Sequence, residues 1–320
     1  MSDREFSRLP SAAQRRFDRG FRLAAACAAS LAVLTVIVIV IEITRMAAPA
    51  VSRYGSDLIT STSYDKNREE FGLLPAIWGT IYTSILALGL ATLFGVTAAI
   101  VLTEDYLPVR LRSVLAQTIQ LLAAIPSVIY GLWGIHVLIP MLRPPANWLH
   151  EHSPAWLPFF NTEFTGFSIL TSVLVLAVMV LPTITALSID ALQTVPRSLR
   201  EGAYALGATR WEAIFQVILP SAISGIIGAM ILALGRALGE TMALAMLVGN
   251  STSEEIRLSL LGPGNTLAAL IANHFPERDR LEEGALMYAA LVLLAITLIV
   301  NLLGEWIITR SSRQLRGLRR

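Results

Sequence analysis

Charge is scarce in this 320-residue sequence. Asp, Glu, Lys and Arg make up 15% of it, against 54% hydrophobic residues. A soluble domain carries about a quarter charged residues, so the balance argues against a soluble globular protein. Cysteine is almost missing. Cys27 stands alone, which rules out an intramolecular disulfide and a cysteine-based zinc site. Lysine occurs once, as Lys66 in Tyr64-Asp65-Lys66-Asn67, with no glycine-rich loop around it. A G-x-x-x-x-G-K-(S/T) phosphate cradle therefore cannot form, and any ATP-driven step needs a separate motor. His150 and His152 sit in a Pro/Trp-rich loop with no third ligand nearby, so they read as a surface pair rather than a metal site. Neither a repeat of about 20–50 residues nor a low-complexity linker is visible.

What is present is length without charge. Leu23–Ile41, Phe71–Thr103, Ser113–Leu142, Phe164–Ile189, Ala213–Gly235 and Gly284–Gly304 contain no ionisable Asp, Glu, Lys or Arg. Arg236 and Glu240 follow the fifth run, and Thr241–Ser253 is again uncharged. Crossing a ~30 Å hydrocarbon layer takes about 20 helical residues. Barrel strands are short and alternate in polarity; these runs are long and uniformly apolar, so they predict helices. The expected fold class is all-α: a polytopic membrane protein with six transmembrane helices near 23–46, 74–102, 114–142, 166–193, 218–249 and 284–308. A basic arm, 1–22, precedes the membrane domain, 23–309, and a basic tail, 310–320, follows it. Span 1 has a 19-residue apolar core, longer than the roughly 7–15 of a cleavable signal, and reads as a retained anchor. The Ala-rich residues 47–50 leave cleavage open.

Orientation follows the arginines. Arg4, Arg8, Arg15, Arg16, Arg19 and Arg22 precede span 1, and Arg310, Arg313, Arg316, Arg319 and Arg320 follow span 6. Both ends are expected in the cytoplasm, as is the loop with Arg197, Arg200 and Arg210. Asp57, Asp65, Glu69 and Glu70 mark the first loop as external; Glu254, Glu255, Glu277, Asp279, Glu282 and Glu283 mark the loop after span 5. The basic ends suit anionic lipid, not nucleic acid.

Prolines interrupt two spans. Pro126 lies in Ala124-Ile125-Pro126-Ser127, with Gly131 and Gly134 beyond it, and Pro182 precedes Thr183 and Thr185. One reading is a bent pathway lined by the hydroxyls of Ser127, Thr183 and Thr185; the other is ordinary packing through small residues.

Residues 196–217 are the most patterned stretch. Pro196 suits a first helical turn. Leu199, Ala203 and Leu206 recur at helical spacing. Gly207 suits a left-handed helix end. Thr209 and Glu212 have capping-box spacing, which starts a second helix with Trp211, Ile214 and Phe215 on its apolar face. Leu219-Pro220 leads into span 5. The pattern describes either a protruding bracket or an amphipathic hairpin on the membrane surface.

Within span 5, Arg236 falls near the middle of the expected helix, where a charge costs ~2.5–3.5 kcal/mol on insertion scales. Glu240 is i,i+4 to it and can pair with it on one face. Gly235 and Gly239 offer a close helix approach. The pair is either a structural salt bridge or a fixed cation for an oxyanion, with Glu240 compensating Arg236 when the site is empty.

Glu201-Gly202-Ala203-(x3)-Gly207-(x9)-Val217-x-Leu219-Pro220 resembles the EAA loop of binding-protein-dependent ABC importer permeases, with Gly202 and Val217 departing from the pattern. Four further segments resemble the phosphate-specific importer permeases: Phe71–Thr80, Ala124–Gly131, Gly235–Thr241 and Ile271–Glu277. The extra N-terminal span and longer first loop are closer to the PstC type than to its companion PstA. This resemblance runs over most of residues 70–310. It implies a type I importer permease in a bacterial inner membrane, with Glu201, Ala203, Gly207, Leu219 and Pro220 serving ATPase coupling. Arg236, Glu240, Ser127, Thr183 and Thr185 would line the route. The implied partners are a PstA-like companion permease, a PstB-like ATPase dimer and an external PstS-like phosphate-binding protein. ATP with Mg would be used by the ATPase, and this chain would bind no cofactor of its own. A sulfate or molybdate permease, an ATP-independent anion transporter and a phosphate-reporting scaffold are the competing readings.

Overall fold

A computed structural model of the protein describes residues 12–317 except 105, 155, 253–255 and 257, with side chains described within 17–310. Arg4, Arg8, Glu254, Glu255, Arg319 and Arg320 lie outside the described residues, as do the side chains of Arg15, Arg16, Arg313 and Arg316.

The chain is helical nearly throughout. In order come α1 (Ala12–Tyr54), the one-turn α2 (Asp57–Thr60), a small antiparallel hairpin of β1 (Tyr64–Asp65) and β2 (Glu70–Phe71), α3 (Leu74–Thr103) and α4 (Val109–Ala124). Then follow α5 (Ser127–Trp133), α6 (Ile139–His152), α7 (Ile169–Gln193), α8 (Arg197–Ala205) and α9 (Arg210–Ala213). The last are α10 (Leu219–Leu238), α11 (Met242–Leu247), α12 (Leu267–His274) and α13 (Arg280–Gly317). Among the described residues, five continuous rods are long and apolar enough to cross a membrane: Phe17–Tyr54, α3, α7, Arg210–Leu238 and Arg280–Arg310. The pair α4 and Ser127–His152 makes a sixth span if read as one broken helix.

Two expected spans are corrected. The third is not one helix over 114–142. It breaks at Ile125-Pro126, and the two halves meet at a 98° bend. Pro126 has no N–H to donate, and its ring drives Ile125 out of the helical region, to φ −71°, ψ 128°. The fifth span stops at Leu238 rather than running to 249, with α11 starting after a break at Gly239-Glu240-Thr241. The outermost spans are longer than expected at both ends.

Two π-turns, Gly134–Leu138 and Ile214–Ile218, join α5 to α6 and α9 to α10 without a break. Each is followed by a helix with proline as its second residue, Pro140 and Pro220. A proline ring clashes with the carbonyl four residues back. Those carbonyls belong to His136 and Gln216, inside the π-turns, where a wider turn absorbs the clash.

The densest seam lies between α3 and α7. Ala87 and Ala91 meet Val173, Leu176, Val180 and Ile184, with Ala233 and Ala237 of α10 closing the third side. Small residues allow the close backbone approach that stabilises helices where no hydrophobic gain is available. At the end of the bundle remote from α8, Glu282 is 1% exposed and gathers three segments. Tyr64 Oη donates to Glu282 Oε1 at 3.1 Å, His274 Nδ1 lies 3.1 Å from the same oxygen, and Lys66 Nζ is 2.8 Å from Oε2. The chain's single lysine thus pins the hairpin onto the α12–α13 corner.

Candidate functional site

Arg236 sits in the last turn of α10, not at its middle, where a cation complements the free carbonyls of a helix C-terminus. Its Nη1 donates to Thr183 Oγ1 of α7 at 3.3 Å. The expected Arg236–Glu240 pair does not form. The helix ends before Glu240, so the two no longer share a face. Glu240 Oε1 accepts instead from Ala243 N at 3.3 Å, capping α11. Gly235 does bring a neighbour close: a Cβ there would lie 3.4 Å from Asn301 Oδ1 of α13. Gly239 has nothing but its own helix's backbone within 4 Å.

The three hydroxyl residues separate. Thr183 faces Arg236. Ser127 is the half-buried first residue of α5. Thr185 is fully buried in the α3–α7 seam, where Oγ1 donates to Leu181 O at 2.9 Å rather than to the carbonyl that Pro182 frees. Gly131 and Gly134 are packing positions: a Cβ on either would fall about 2.8–2.9 Å from Met246 Sδ or Leu247 Cδ1 of α11. Sequence reasoning missed Tyr130, whose hydroxyl donates to Leu122 O at 2.8 Å and staples α4 to α5 across the break.

The patterned loop forms as its residues direct. Pro196 caps α8 from outside rather than entering it, with φ −57° and ψ 138°. Gly207, at φ +86°, ends the helix in a Schellman motif: Ala208 N donates to Ala203 O at 3.1 Å and Gly207 N to Tyr204 O at 3.0 Å. The capping box is complete, with Thr209 N donating to Glu212 Oε2 at 2.7 Å and Glu212 N to Thr209 Oγ1 at 3.4 Å. Of the apolar face of α8, Ala203 is buried but Leu206 is 91% exposed. Glu201 and Gly202 are exposed, as are Trp211 and Phe215 beyond the turn; Leu219 is half-buried and Pro220 exposed. A polar cleft of about 580 Å³, lined by Thr103, Arg112, Gln193, Val195, Arg197, Arg200 and Glu201, opens beside α8.

The loop thus stands out by one capped helix and leaves Glu201, Leu206, Trp211 and Phe215 uncovered. The sequence profile of the family described as "Binding-protein-dependent transport system inner membrane component" matches residues 91–317. The chain belongs to that family. This permease is 37% identical over 304 residues to the "Phosphate transport system permease protein PstC" of Xylella fastidiosa, covering 93% of each chain. It is 40% identical over 266 residues to the protein of the same name from Mesorhizobium japonicum, covering 82% of this chain and 80% of that one. The "Probable phosphate transport system permease protein PstC" of Methanocaldococcus jannaschii is 37% identical over 275 residues, covering 82% and 85%. Among solved structures, a bacterial alginate ABC transporter, in complex with its alginate pentasaccharide-bound periplasmic protein, aligns with a TM-score of 0.60 at 17% identity. That alignment covers 92% of this chain and 97% of that one. The inward-facing MetNI methionine ABC transporter aligns with a TM-score of 0.57 at 18% identity, covering 75% and 95%. Such identities speak to the fold alone. The matched region of the permease takes in Arg236 and the whole α8–α10 segment.

Proposed function

We propose that this permease is a membrane-spanning subunit of an ATP-driven importer that carries inorganic phosphate across the cytoplasmic membrane. The observation that carries the reading is the state of Arg236. Among the described residues its one hydrogen-bond partner is a neutral hydroxyl, and the nearby carboxylate of Glu240 is engaged elsewhere. A guanidinium in an apolar bundle without a counter-charge favours an anion, and its planar donors suit a tetrahedral oxyanion. The names of the relatives direct the choice among oxyanions to phosphate.

Exposed α8, with Glu201, Ala203 and Gly207, is the docking element for a separate ATPase, which uses ATP with Mg. Leu219 and Pro220 carry its motion into α10. Both termini and α8 face the cytoplasm. A companion permease completes the pathway, and an external binding protein delivers phosphate to the Glu282 end. Thr183 borders the route at Arg236 and Ser127 borders it at the start of α5, with Glu240 at the break after α10. Thr185 supports the wall from within the α3–α7 seam.

The test is uptake of labelled phosphate by proteoliposomes holding this chain, a companion permease and an ATPase. Binding protein is supplied outside and ATP inside, with excess unlabelled sulfate as competitor. Uptake that needs ATP and resists sulfate is expected. Uptake without ATP would defeat the importer reading, and suppression by sulfate would move the substrate to another oxyanion.

A further inference from the structure

We propose that Arg200 is the positioning residue that makes α3 follow the docking helix α8. The inference rests on α8 being the element the ATPase grips.

Within its own chain α8 is lightly held. Ala203 is its one buried residue, and its far end stops at the exposed Gly207 turn. Arg200 is the exception among its charged residues. Its side chain is 19% exposed and forms an ion pair with Glu104, which is 10% exposed. The second arm, Nη2, donates to Leu192 O at 2.8 Å.

Both partners stand at helix C-termini. Glu104 is the C-cap of α3, its own N–H donating to Ile100 O, and Leu192 lies in the last turn of α7. Such ends carry unpaired carbonyls and partial negative charge. A guanidinium holds several donors in a fixed plane and can serve both ends at once, whereas an ammonium offers a single point of charge. One side chain therefore ties the ends of α3 and α7 to α8.

The geometry gives this tie a consequence. The chain links α8 covalently to α7 through Val195 and Pro196, and to α9 and α10 through the Gly207 turn. It provides no such link to α3, because Glu104 is 96 residues upstream of Arg200. The loop after α3 also reaches the other arm of the bracket, where the Tyr106 ring lies 5.7 Å from that of Trp211. Glu104 and Tyr106 thus grip the bracket on both sides of its turn. A pull on α8 moves the end of α3 with it as long as the Arg200 pair holds. Partial burial keeps that pair from being screened as a surface pair is.

The experiment measures phosphate taken up per ATP hydrolysed in proteoliposomes containing the full complex. It compares wild type with Arg200→Gln, Arg200→Lys, Glu104→Gln and the reciprocal swap Arg200→Glu with Glu104→Arg. The Gln variants are expected to lower the ratio by about fivefold or more, at the lower end of known inter-site couplings. Arg200→Lys should fall between them and wild type, because it keeps the charge and loses the Leu192 arm. The swap should recover part of the ratio. Uptake and hydrolysis that decline in step, with the ratio unchanged in every assembled variant, would overturn the proposal and leave a structural clamp. A swap no better than either Gln variant would overturn it too. Should the wild-type complex hydrolyse ATP no faster with this chain than without it, the docking reading itself fails, whatever Arg200 does.

Discussion

Arg236 donates to the hydroxyl of Thr183 at 3.3 Å, across the interface between the end of α10 and the middle of α7. The contact aims the guanidinium without neutralising it. Arg236→Ala should therefore remove anion transit while leaving the helix ends packed. Charge-assisted hydrogen bonds contribute about 1.5–3 kcal/mol each, so a loss of uptake beyond roughly tenfold is expected. Thr183→Val removes only this long, solvent-exposed bond to the guanidinium and leaves the charge in place, so it should reduce uptake less than Arg236→Ala does, by roughly two- to tenfold. Labelled uptake and co-purification of the ATPase, measured together, check both. Loss of assembly in Arg236→Ala would instead return the residue to a structural role.

Gly207 adopts φ +86°, and a Cβ built on it would meet nothing within 4 Å among the described residues. Space is free there; the backbone is the constraint. A β-branched residue in the left-handed region costs ~1–2 kcal/mol or more, and the Schellman turn that directs α8 opens. Gly207→Val should weaken ATPase association by about tenfold, since about 1.4 kcal/mol is a factor of ten. A pull-down titration of ATPase onto detergent-purified permease reads this directly. Unchanged association would show that the partner does not depend on this turn.

The α8–α9 turn was legible because each of its signals is local. Pro196, Gly207 and the Thr209–Glu212 box act within four residues of themselves; Gly207, Thr209 and Glu212 do in the fold what their chemistry suggests, and Pro196 stands just before the first turn rather than in it. The apolar rods were legible because they must satisfy their own backbones. Two breaks were missed. Pro126 was read as a kink inside a helix, yet a proline whose preceding residue leaves the helical region ends one. The run Gly239-Glu240-Thr241 was read through because its apolar flanks looked continuous, which also suggested an Arg236–Glu240 pair that the break prevents. The Arg200–Glu104 tie and the Glu282 knot had no sequence signal at all. They join segments 96 and 218 residues apart, and only the packing brings them together.

Gly79 shows how close α3 comes to the loop before α12. A Cβ built on it would lie 1.9 Å from the backbone oxygen of Asn265. At the very next residue, Thr80 Oγ1 accepts from Leu267 N at 2.8 Å, so the loop has no freedom to retreat. Gly79→Ala should therefore destabilise the protein by about 3 kcal/mol, the upper part of the usual overpacking range. Thermal unfolding in detergent and the yield of folded protein measure it. Gly202→Ala, inside α8 and with nothing within 4 Å of the added Cβ, is the control and should lower neither.

Tyr64 and Lys66 converge on the buried carboxylate of Glu282, and this contact gives stability a pH dependence of definite sign. Burial first, and then Glu282, raise the Tyr64 phenol above its ordinary value. The hydrogen bond to Glu282 likewise raises Lys66. Both groups are protonated in the fold and release their protons more easily when unfolded, near pH ~10. A raised folded value means the stabilisation is fully present below that pH and is lost as pH climbs through the folded values. Thermal unfolding should thus be insensitive to these groups from about pH 7 to 9 and should weaken above about pH 10. Tyr64→Phe should lower stability at neutral pH by about 1.5–3 kcal/mol, the worth of a bond to a charged group. It should also make the alkaline decline shallower, because one of the two titrating groups is gone. An alkaline decline equally steep in wild type and Tyr64→Phe would mean that the knot at Glu282 does not govern this end of the molecule.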